Sequence, residues 1–564
     1  MAREGATSVV SVFRTTMRNG SLLRLELAFA AFNGAELAVW VCLLVYAYSV
    51  GGATAAGVMA LVQLIPCIVL APYLGALADR RRPGRVLLAG YLVQFVAMAA
   101  VAAAIALDAP AWLVFAMAPA VNLGITVPRP AQAALLPSIV RRPIELTAAN
   151  VISSWAENGG VLVAPAIAGV LLGVGGPPLA ITFLAALALV AALLVIPLPG
   201  PPPLVEEEAP GSLTAQIGAG LRAVRREPSV RVLVGLLGAQ YILVGALDVL
   251  YVVLAISVLG LGEAGAGYLN AAFGAGGVIG AALAAGLVAR RRLAPALAAG
   301  VVTGALALGA LGLYPTVVSA FLLLAVAGLG RTILDVTGRI LLQRAAPPDV
   351  LADVFSLLES LMNIGLAFGA IIVPVLVGVS GARAALIGTG VVLLLIILAT
   401  WHRVRTVDAT ADVPHVQIRL LQSIPIFSRL PAPQLEGLAR ALQPVEYAAG
   451  ETVMREGDPG DFYCAVVTGE VEVSHAGKAV AHLTRGEGFG EIALIEDVPR
   501  TATVTAVTPT EVYCLEKAPF ILALTGHASA RTTAESVIAT RRDELQQAEG
   551  ALVAAAAEAE GGAP

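Results

Sequence analysis

The chain has 564 residues, a net charge of -4, 58% hydrophobic residues, 13% charged residues and a mean hydropathy of +0.85. A soluble protein carries about 25% charged residues, so this composition excludes a wholly soluble chain, and the near-neutral balance gives no basic field for nucleic acid. Four cysteines (Cys42, Cys67, Cys464, Cys514) have no metal-type spacing and read as small buried hydrophobes, not as a framework.

Residues 1–24 carry Arg3, Arg14 and Arg18 ahead of an apolar run that is too long for a signal peptide and has no clear small-residue cleavage site. An apolar run of about 20 residues crosses a bilayer as a helix. Twelve such runs begin near Leu25, Ala53, Val86, Ala111, Ala148, Leu179, Val230, Ala264, Leu293, Pro315, Leu351 and Ala382. The segments between them alternate in character. One set holds Arg80-Arg81-Arg82 with Arg85, Arg141-Arg142, Arg222 with Arg225-Arg226, Arg290-Arg291-Arg292, and Arg344. The other holds Gly51-Gly52, Asp108, Gly175-Gly176, Glu263, Gly312 and a single Arg383. Positive residues mark the cytoplasmic side. Both termini are therefore expected in the cytoplasm, along with everything beyond residue 400.

The runs divide into helices 1–6 (residues 25–196) and helices 7–12 (residues 230–400), separated by a proline-rich linker at 197–229 that contains Pro201-Pro202-Pro203 and Glu206-Glu207-Glu208. The halves echo each other, because Gly75-Ala76-Leu77-Ala78-Asp79-Arg80-Arg81-Arg82 closes the second run and Gly286-Leu287-Val288-Ala289-Arg290-Arg291-Arg292 closes the eighth. The expected fold of this part is an all-α membrane domain of two six-helix repeats, with a substrate path between them near the midplane.

Gly75-x-x-x-Asp79-Arg80 with Gly84-Arg85 resembles the loop motif between the second and third helices of the major facilitator superfamily, although Arg82 and Pro83 lengthen the loop and the second copy has Ala289 in place of an acid. The resemblance implies a conformational gate role for Asp79 and Arg80. A carboxylate near a helix N-terminus is favourable there. The pattern from Pro119 to Pro137 and from Ala148 to Gly169 is similar to the macrolide-efflux-like branch of exporters.

A charge at a membrane-helix centre costs about 2.5–3.5 kcal/mol on insertion scales. Glu36 lies mid-way along the first run and Asp248 mid-way along the seventh. As counterparts in a two-repeat fold they are candidates for proton coupling, against a simpler role as packing glue between helices. Arg331, Asp335 and Arg339 recur every four residues on the tenth run, and Glu359 and Asn363 lie one turn apart on the eleventh. Arg331, Asp335, Arg339 and Glu359 are candidate inner-gate residues, with Arg129 and Glu157-Asn158 as first-half partners. No Walker A loop is present, which speaks against ATP-driven transport.

Beyond a linker at 401–417 the composition becomes that of a soluble protein. Short helices are predicted around Ile424-Pro425-Ile426-Phe427. From Val445 to Glu516 follow alternating strands, with Val471 and Val473 set against Glu472 and Ser474, and Val504 and Ala506 against Thr503 and Thr505. Turns are placed at Gly450, Gly457-Asp458-Pro459-Gly460, Gly469, Gly477 and Gly486. This pattern suits a small β jelly roll with flanking helices. Residues 549–564 read as a disordered tail.

Residues 418–548 resemble the cyclic nucleotide-binding domain shared by catabolite activator protein, kinase regulatory subunits and gated channels. The resemblance rests on Gly490-Glu491-Ile492-Ala493-Leu494, five residues, then Arg500-Thr501-Ala502-Thr503, with Gly450-Glu451 and Glu456-Gly457-Asp458 before them. It implies that Glu491 accepts a ribose hydroxyl and Arg500 pairs with the cyclic phosphate. A guanidinium suits phosphate oxygens, and the amides of Gly490, Ile492 and Ala493 would add donors at a helix start. Thr501 can reach a phosphate or a purine edge; cAMP is favoured over cGMP for a chain of bacterial character. Ile538, Arg541 and Leu545 are candidates for a lid over the base.

The expected protein is a bacterial inner-membrane secondary transporter, a proton-coupled exporter of a small amphipathic compound, regulated by a cyclic nucleotide and using no other cofactor. Lipid or lysolipid movement and a non-transporting receptor or scaffold stand as alternatives. No nucleophile–base constellation points to an enzyme. Substrate, coupling ion, sign of regulation and oligomeric state are not encoded legibly.

Overall fold

The computed structural model describes residues 19–542 except 80, 127, 141–142, 199–212, 288–291, 348–349, 411–414, 429, 431, 526–532 and 535. The chain divides into two compact units, residues 1–141 with 148–412, and residues 142–147 with 413–564.

The first unit is helical: α1 (Gly20–Asp79), α2 (Pro83–Ala106), α3 (Ala111–Thr126), α4 (Pro128–Ile139), α5 (Pro143–Val195), α6 (Leu213–Arg226), α7 (Pro228–Val253), α8 (Gly262–Leu287), α9 (Ala294–Leu313), α10 (Val317–Ala345) and α11 (Leu351–Thr410). Among the described residues, nine helical stretches are long and apolar enough to cross a membrane. Three of them are interrupted by glycine. In α1 the break is at Gly51–Gly52, in α5 at Gly175–Gly176, and in α11 at Gly381, whose φ is 80°. These breaks fall where the sequence pattern places loops. Val379, Leu398, Leu322 and many other large apolar side chains are exposed on the unit, as a lipid-facing surface requires and a water-facing one disfavours.

Small residues let the helix backbones touch, the packing mode favoured when lipid removes the hydrophobic drive between helices. A Cβ on Gly245 of α7 would lie 2.1 Å from the Leu366 carbonyl oxygen of α11, and one on Gly369 would lie 2.0 Å from that of Ile242. The two halves meet toward the glycine-break ends. There Gly57 faces Ala370 and Pro374, Gly267 faces Pro165, and Tyr48 bonds Ser257. Ser257 lies in a π-helical turn, Leu254–Val258, that ends α7.

From residue 413 on, the second unit opens with α12 (His415–Ser423) and α13 (Ala432–Ala441), around which Leu421, Ile424, Ile426 and Phe427 are buried. Eight strands follow: β1 (Gln443–Tyr447), β2 (Thr452–Met454), β3 (Phe462–Thr468), β4 (Val471–His475), β5 (Lys478–Leu483), β6 (Gly488–Phe489), β7 (Thr503–Ala506) and β8 (Thr510–Glu516). They form two antiparallel four-stranded sheets, ordered β1-β8-β3-β6 and β2-β7-β4-β5. The alternating runs pair as their pattern requires, Val471 opposite Ala506 and Val473 opposite Val504, with Val471, Val504 and Ala506 buried between the sheets. Gly450, Gly457, Gly469, Gly477 and Gly486 all adopt positive φ at the expected turns. α14 (Glu491–Glu496) follows β6, α15 (Lys517–Thr525) follows β8, and 536–542 is again helical. Tyr463 stacks on Phe520 at 4.9 Å, and Phe427 meets both edge-on, so the sheets and helices share one aromatic core.

One expectation is corrected here. Cys464 and Cys514 are not separate thiols but a disulfide joining β3 to β8, which their direct pairing in the sheet makes possible; Cys42 is a buried thiol.

Candidate nucleotide pocket and membrane ion-pair networks

In the β-sheet unit, β6 hands the chain to α14 through Gly490, whose φ of 93° lies in the region that favours glycine. That turn places Glu491 at the first position of the helix and leaves it 1% exposed. Oε1 accepts a hydrogen bond from Arg541 Nη1 in the C-terminal helical segment, while Oε2 is buried without a partner. A buried carboxylate oxygen with no donor carries a desolvation cost of about 1–3 kcal/mol or more. Oε2 is thus an acceptor suited to a hydroxyl or similar donor.

Arg500 arrives from the other side. Its backbone is pinned by the 457–458 turn, through Arg500 N to Asp458 O at 2.8 Å and Gly457 N to Arg500 O at 2.9 Å. This explains the Glu456-Gly457-Asp458 segment in the cassette. The guanidinium donates to the carbonyls of Gly490 (3.1 Å) and Phe462 (2.7 Å) and lies over the Phe462 ring. Burial pushes its pKa below the ordinary arginine value, although Asp461, Glu491 and Asp458 oppose this. Among the described residues no carboxylate lies within ion-pair distance of it. A buried cation with donors to spare suits an anion.

The cavity between them is lined by Leu483, Phe489, Gly490, Glu491, Ile492, Ala493, Arg500, Thr501 and Arg541, with Met454, Val473 and Val504 as an apolar floor. A lining that mixes charged and apolar side chains suits a ligand with both polar and apolar parts. Tyr463 packs beneath Gly488, and burial raises its hydroxyl pKa, with the Glu491 charge adding to the effect. All six pocket residues read from the cassette, Gly490 to Ala493 with Arg500 and Thr501, line this one cavity. α14 is only six residues long, and Glu491 and Arg500 are among the polar side chains that line the cavity. Of the three lid candidates, Arg541 reaches the cavity, Ile538 is buried, and Leu545 lies outside the described residues.

In the helical unit the charged residues gather into two networks. Arg129 of α4 donates to Glu36 of α1 at 2.8 Å, to Glu157 of α5 at 2.9 Å and to the Asn33 side chain at 2.9 Å. Arg339 of α10 pairs with Asp335 at 3.3 Å and with Glu359 of α11 at 3.2 Å, and donates to the Tyr241 hydroxyl. Gln240 and Tyr241 of α7 donate in turn to Asp335. Each half thus clamps one arginine between two carboxylates, where opposite charges offset the cost of leaving water. Asp248 does not share Glu36's network. It accepts from Trp40 Nε1 at 3.1 Å, one turn beyond Glu36 on α1. Arg331 Nε is buried with no hydrogen-bond partner. Asp79 ends α1 and its side chain is not among those described; Arg80 and Ala289 lie outside the described residues. Gln240 and Tyr241 were not singled out in the sequence, where a polar pair inside an apolar run was the available signal.

A family model of the Major Facilitator Superfamily matches residues 25–357, and a model of the cyclic nucleotide-binding domain matches residues 444–525. A cAMP-dependent protein kinase regulatory subunit of Eremothecium gossypii is 43% identical over 101 residues, covering 18% of this chain and 22% of that protein. One from Schizosaccharomyces pombe is 43% identical over 102 residues, covering 18% and 25%. The chain therefore spans about a quarter or less of the length of these relatives. A structure of the regulatory domain of Toxoplasma gondii PKA with cAMP is 30% identical and covers 20% of this chain and 44% of that one. Its TM-score of 0.19 is too low to carry a structural argument. The first of the family matches extends over more than half of the sequence, and the chain belongs to the Major Facilitator Superfamily, with a cyclic nucleotide-binding domain toward its C-terminus.

Proposed function

We propose that this protein is a secondary active transporter whose conformational balance is set by a cyclic nucleotide, cAMP by preference, held between Glu491 and Arg500. The observation that carries the proposal is the complementary deficit in the pocket. Glu491 lacks a donor on a buried oxygen, and Arg500 lacks an anion. A ribose hydroxyl next to a cyclic phosphate fills both at once. The preference for cAMP is supported by the names of the relatives that share this stretch.

In the transporter body, the alternation of arginine-rich and glycine-rich connections supports a cytoplasmic placement of the arginine-bearing ends and of the nucleotide-binding domain. Three glycine breaks within nine membrane-length helices support twelve crossings. Contacts between the halves at the glycine-break ends, with half-exposed Glu157 and Glu359 nearer the other ends, support a cavity open toward the cytoplasm. We assign proton coupling to Asp248, which meets the neutral Trp40 indole. Glu36, Arg129 and Glu157, with Asp335, Arg339 and Glu359, are assigned to ion pairs that rearrange as the halves rock. Arg331 and the Asp79–Arg80 loop belong to the same gate. The cargo is a small amphipathic compound moved outward.

Calorimetry on the full-length protein in nanodiscs tests the pocket. Hydrogen bonds to charged groups contribute about 1.5–3 kcal/mol, so Arg500→Ala is expected to weaken cAMP roughly 10–150-fold, with a smaller loss for Glu491→Gln. Absence of binding heat with both cAMP and cGMP sinks the reading.

A further inference from the structure

The last leg of α11 runs from the Gly381 break to Thr410. At 1.5 Å per residue it is about 43 Å long, against a hydrocarbon core of about 30 Å. The helix therefore leaves the membrane as a continuous rod of roughly two further turns. Its projecting end is anchored. Val404 and Val407 are buried, and Asp408 is only 6% exposed. Asp408 Oδ1 accepts from the Leu293 amide at 3.0 Å, and Oδ2 accepts from the Ala294 amide at 3.1 Å.

Those two amides open α9, whose own N-cap residue, Leu293, provides no side-chain cap. The first amides of a helix need an acceptor, normally a nearby Ser, Thr, Asp or Asn. Here a carboxylate 115 residues away in sequence supplies it, with the favourable sign for the positive end of a helix. The start of α9 thus depends on where the end of α11 stands. The loop that precedes α9 carries Arg290, Arg291 and Arg292, and has Ala289 where the first-half loop has Asp79. Two residues beyond Asp408 the helix ends, and the nucleotide-binding unit begins at Val413.

We infer that Asp408 is the positioning residue through which the nucleotide-binding unit acts on the transporter: it ties the end of α11, the helix that precedes that unit in the chain, to the start of α9, so that a displacement of the one is carried into the other. The inference rests on the regulatory function proposed above and names its route. By linkage, a ligand changes the transporter only as far as it distinguishes the transporter's states. Cutting the clamp should therefore remove the response while sparing the binding.

The test uses the full-length protein in nanodiscs with spin labels at exposed Arg85 of α2 and Gln343 of α10, with distances measured with and without saturating cAMP. The unmutated protein should shift its distance distribution on adding cAMP. Asp408→Ala should bind cAMP within about twofold of the unmutated affinity, since coupling and not the pocket is altered, yet show no shift. Asp408→Asn, close in shape but able to accept through a single oxygen, should retain the fold and lose at least part of the shift. A full shift in both variants overturns the role of Asp408. No shift in the unmutated protein, despite cAMP binding, overturns the regulatory function itself and this route with it.

Discussion

Arg129 and Arg339 of the helical unit and Arg500 of the β-sheet unit are held in opposite ways. Arg129 and Arg339 each sit between two carboxylates, and Tyr241, Gln240 and Asn33 complete the networks. Arg500 has two backbone carbonyls and, among the described residues, no carboxylate partner, while the buried Glu491 nearby leaves one oxygen without a donor. In a membrane an unbalanced charge has nowhere to find a counter-charge, so the helices supply one internally. A binding pocket does the reverse. It leaves the deficit in place and lets the ligand remove it, at some cost to the empty protein.

The sharpest way to break this comparison is to test how little slack the helical unit has. Gly245→Leu would drive a side chain into the α11 backbone, where even a Cβ would lie 2.1 Å from the Leu366 carbonyl oxygen. It should abolish the monodisperse detergent-solubilised peak, whereas Gly388→Leu, with nothing within 4 Å of its Cβ position, should preserve it. A second contrast uses the arginines themselves. Arg339→Met strands Asp335 and Glu359 without their cation. Breaking a fully buried pair costs about 3–5 kcal/mol, and with Arg339 30% and Glu359 52% exposed we expect about 1–2 kcal/mol after screening. Arg500→Met should go the other way, leaving the nucleotide-free melting temperature unchanged or raised while cAMP binding is lost. If both substitutions destabilise alike, the distinction between saturated and unsaturated arginines fails.

The smallest effect is electrostatic. The Asp497 carboxyl is held below its ordinary pKa, first by its hydrogen bond to Lys517 and then by the lysine's charge. Its folded pKa is thus below the unfolded one. The contribution is complete above the unfolded carboxylate value near pH ~4 and disappears as pH falls through the folded value. Asp497→Asn should flatten a slight acid-side loss of stability, visible as a smaller difference in melting temperature between pH 6 and pH ~3.

Much of the β-sheet unit was legible because its signals are local. Turn glycines, two-residue alternation and the Glu491–Arg500 cassette all lie within short windows, and the strand register follows from which residues must face inward. The helical spans were legible from composition for the same reason. What escaped is long-range. Nothing near Gln240 or Tyr241 announces Asp335 or Arg339, nothing near Leu293 announces Asp408, and the Cys464–Cys514 pairing depends on which strands become neighbours. Arg541 was one of three lid candidates, but its bond to Glu491 required the helix's placement. Glu36 and Asp248 illustrate the converse. Similar positions along their helices did not give them a common partner.

The glycine breaks have a mechanical implication. Every second connection in the helical unit is a residue or a handful long: Gly51–Gly52, 107–110, Gly175–Gly176, 259–261, 314–316 and Gly381. Hinges that short have no length from which to fashion a flap. Any exit on that face must be made by whole rods leaning apart, so the energy of opening is stored in the seams between helices and not in a swinging door.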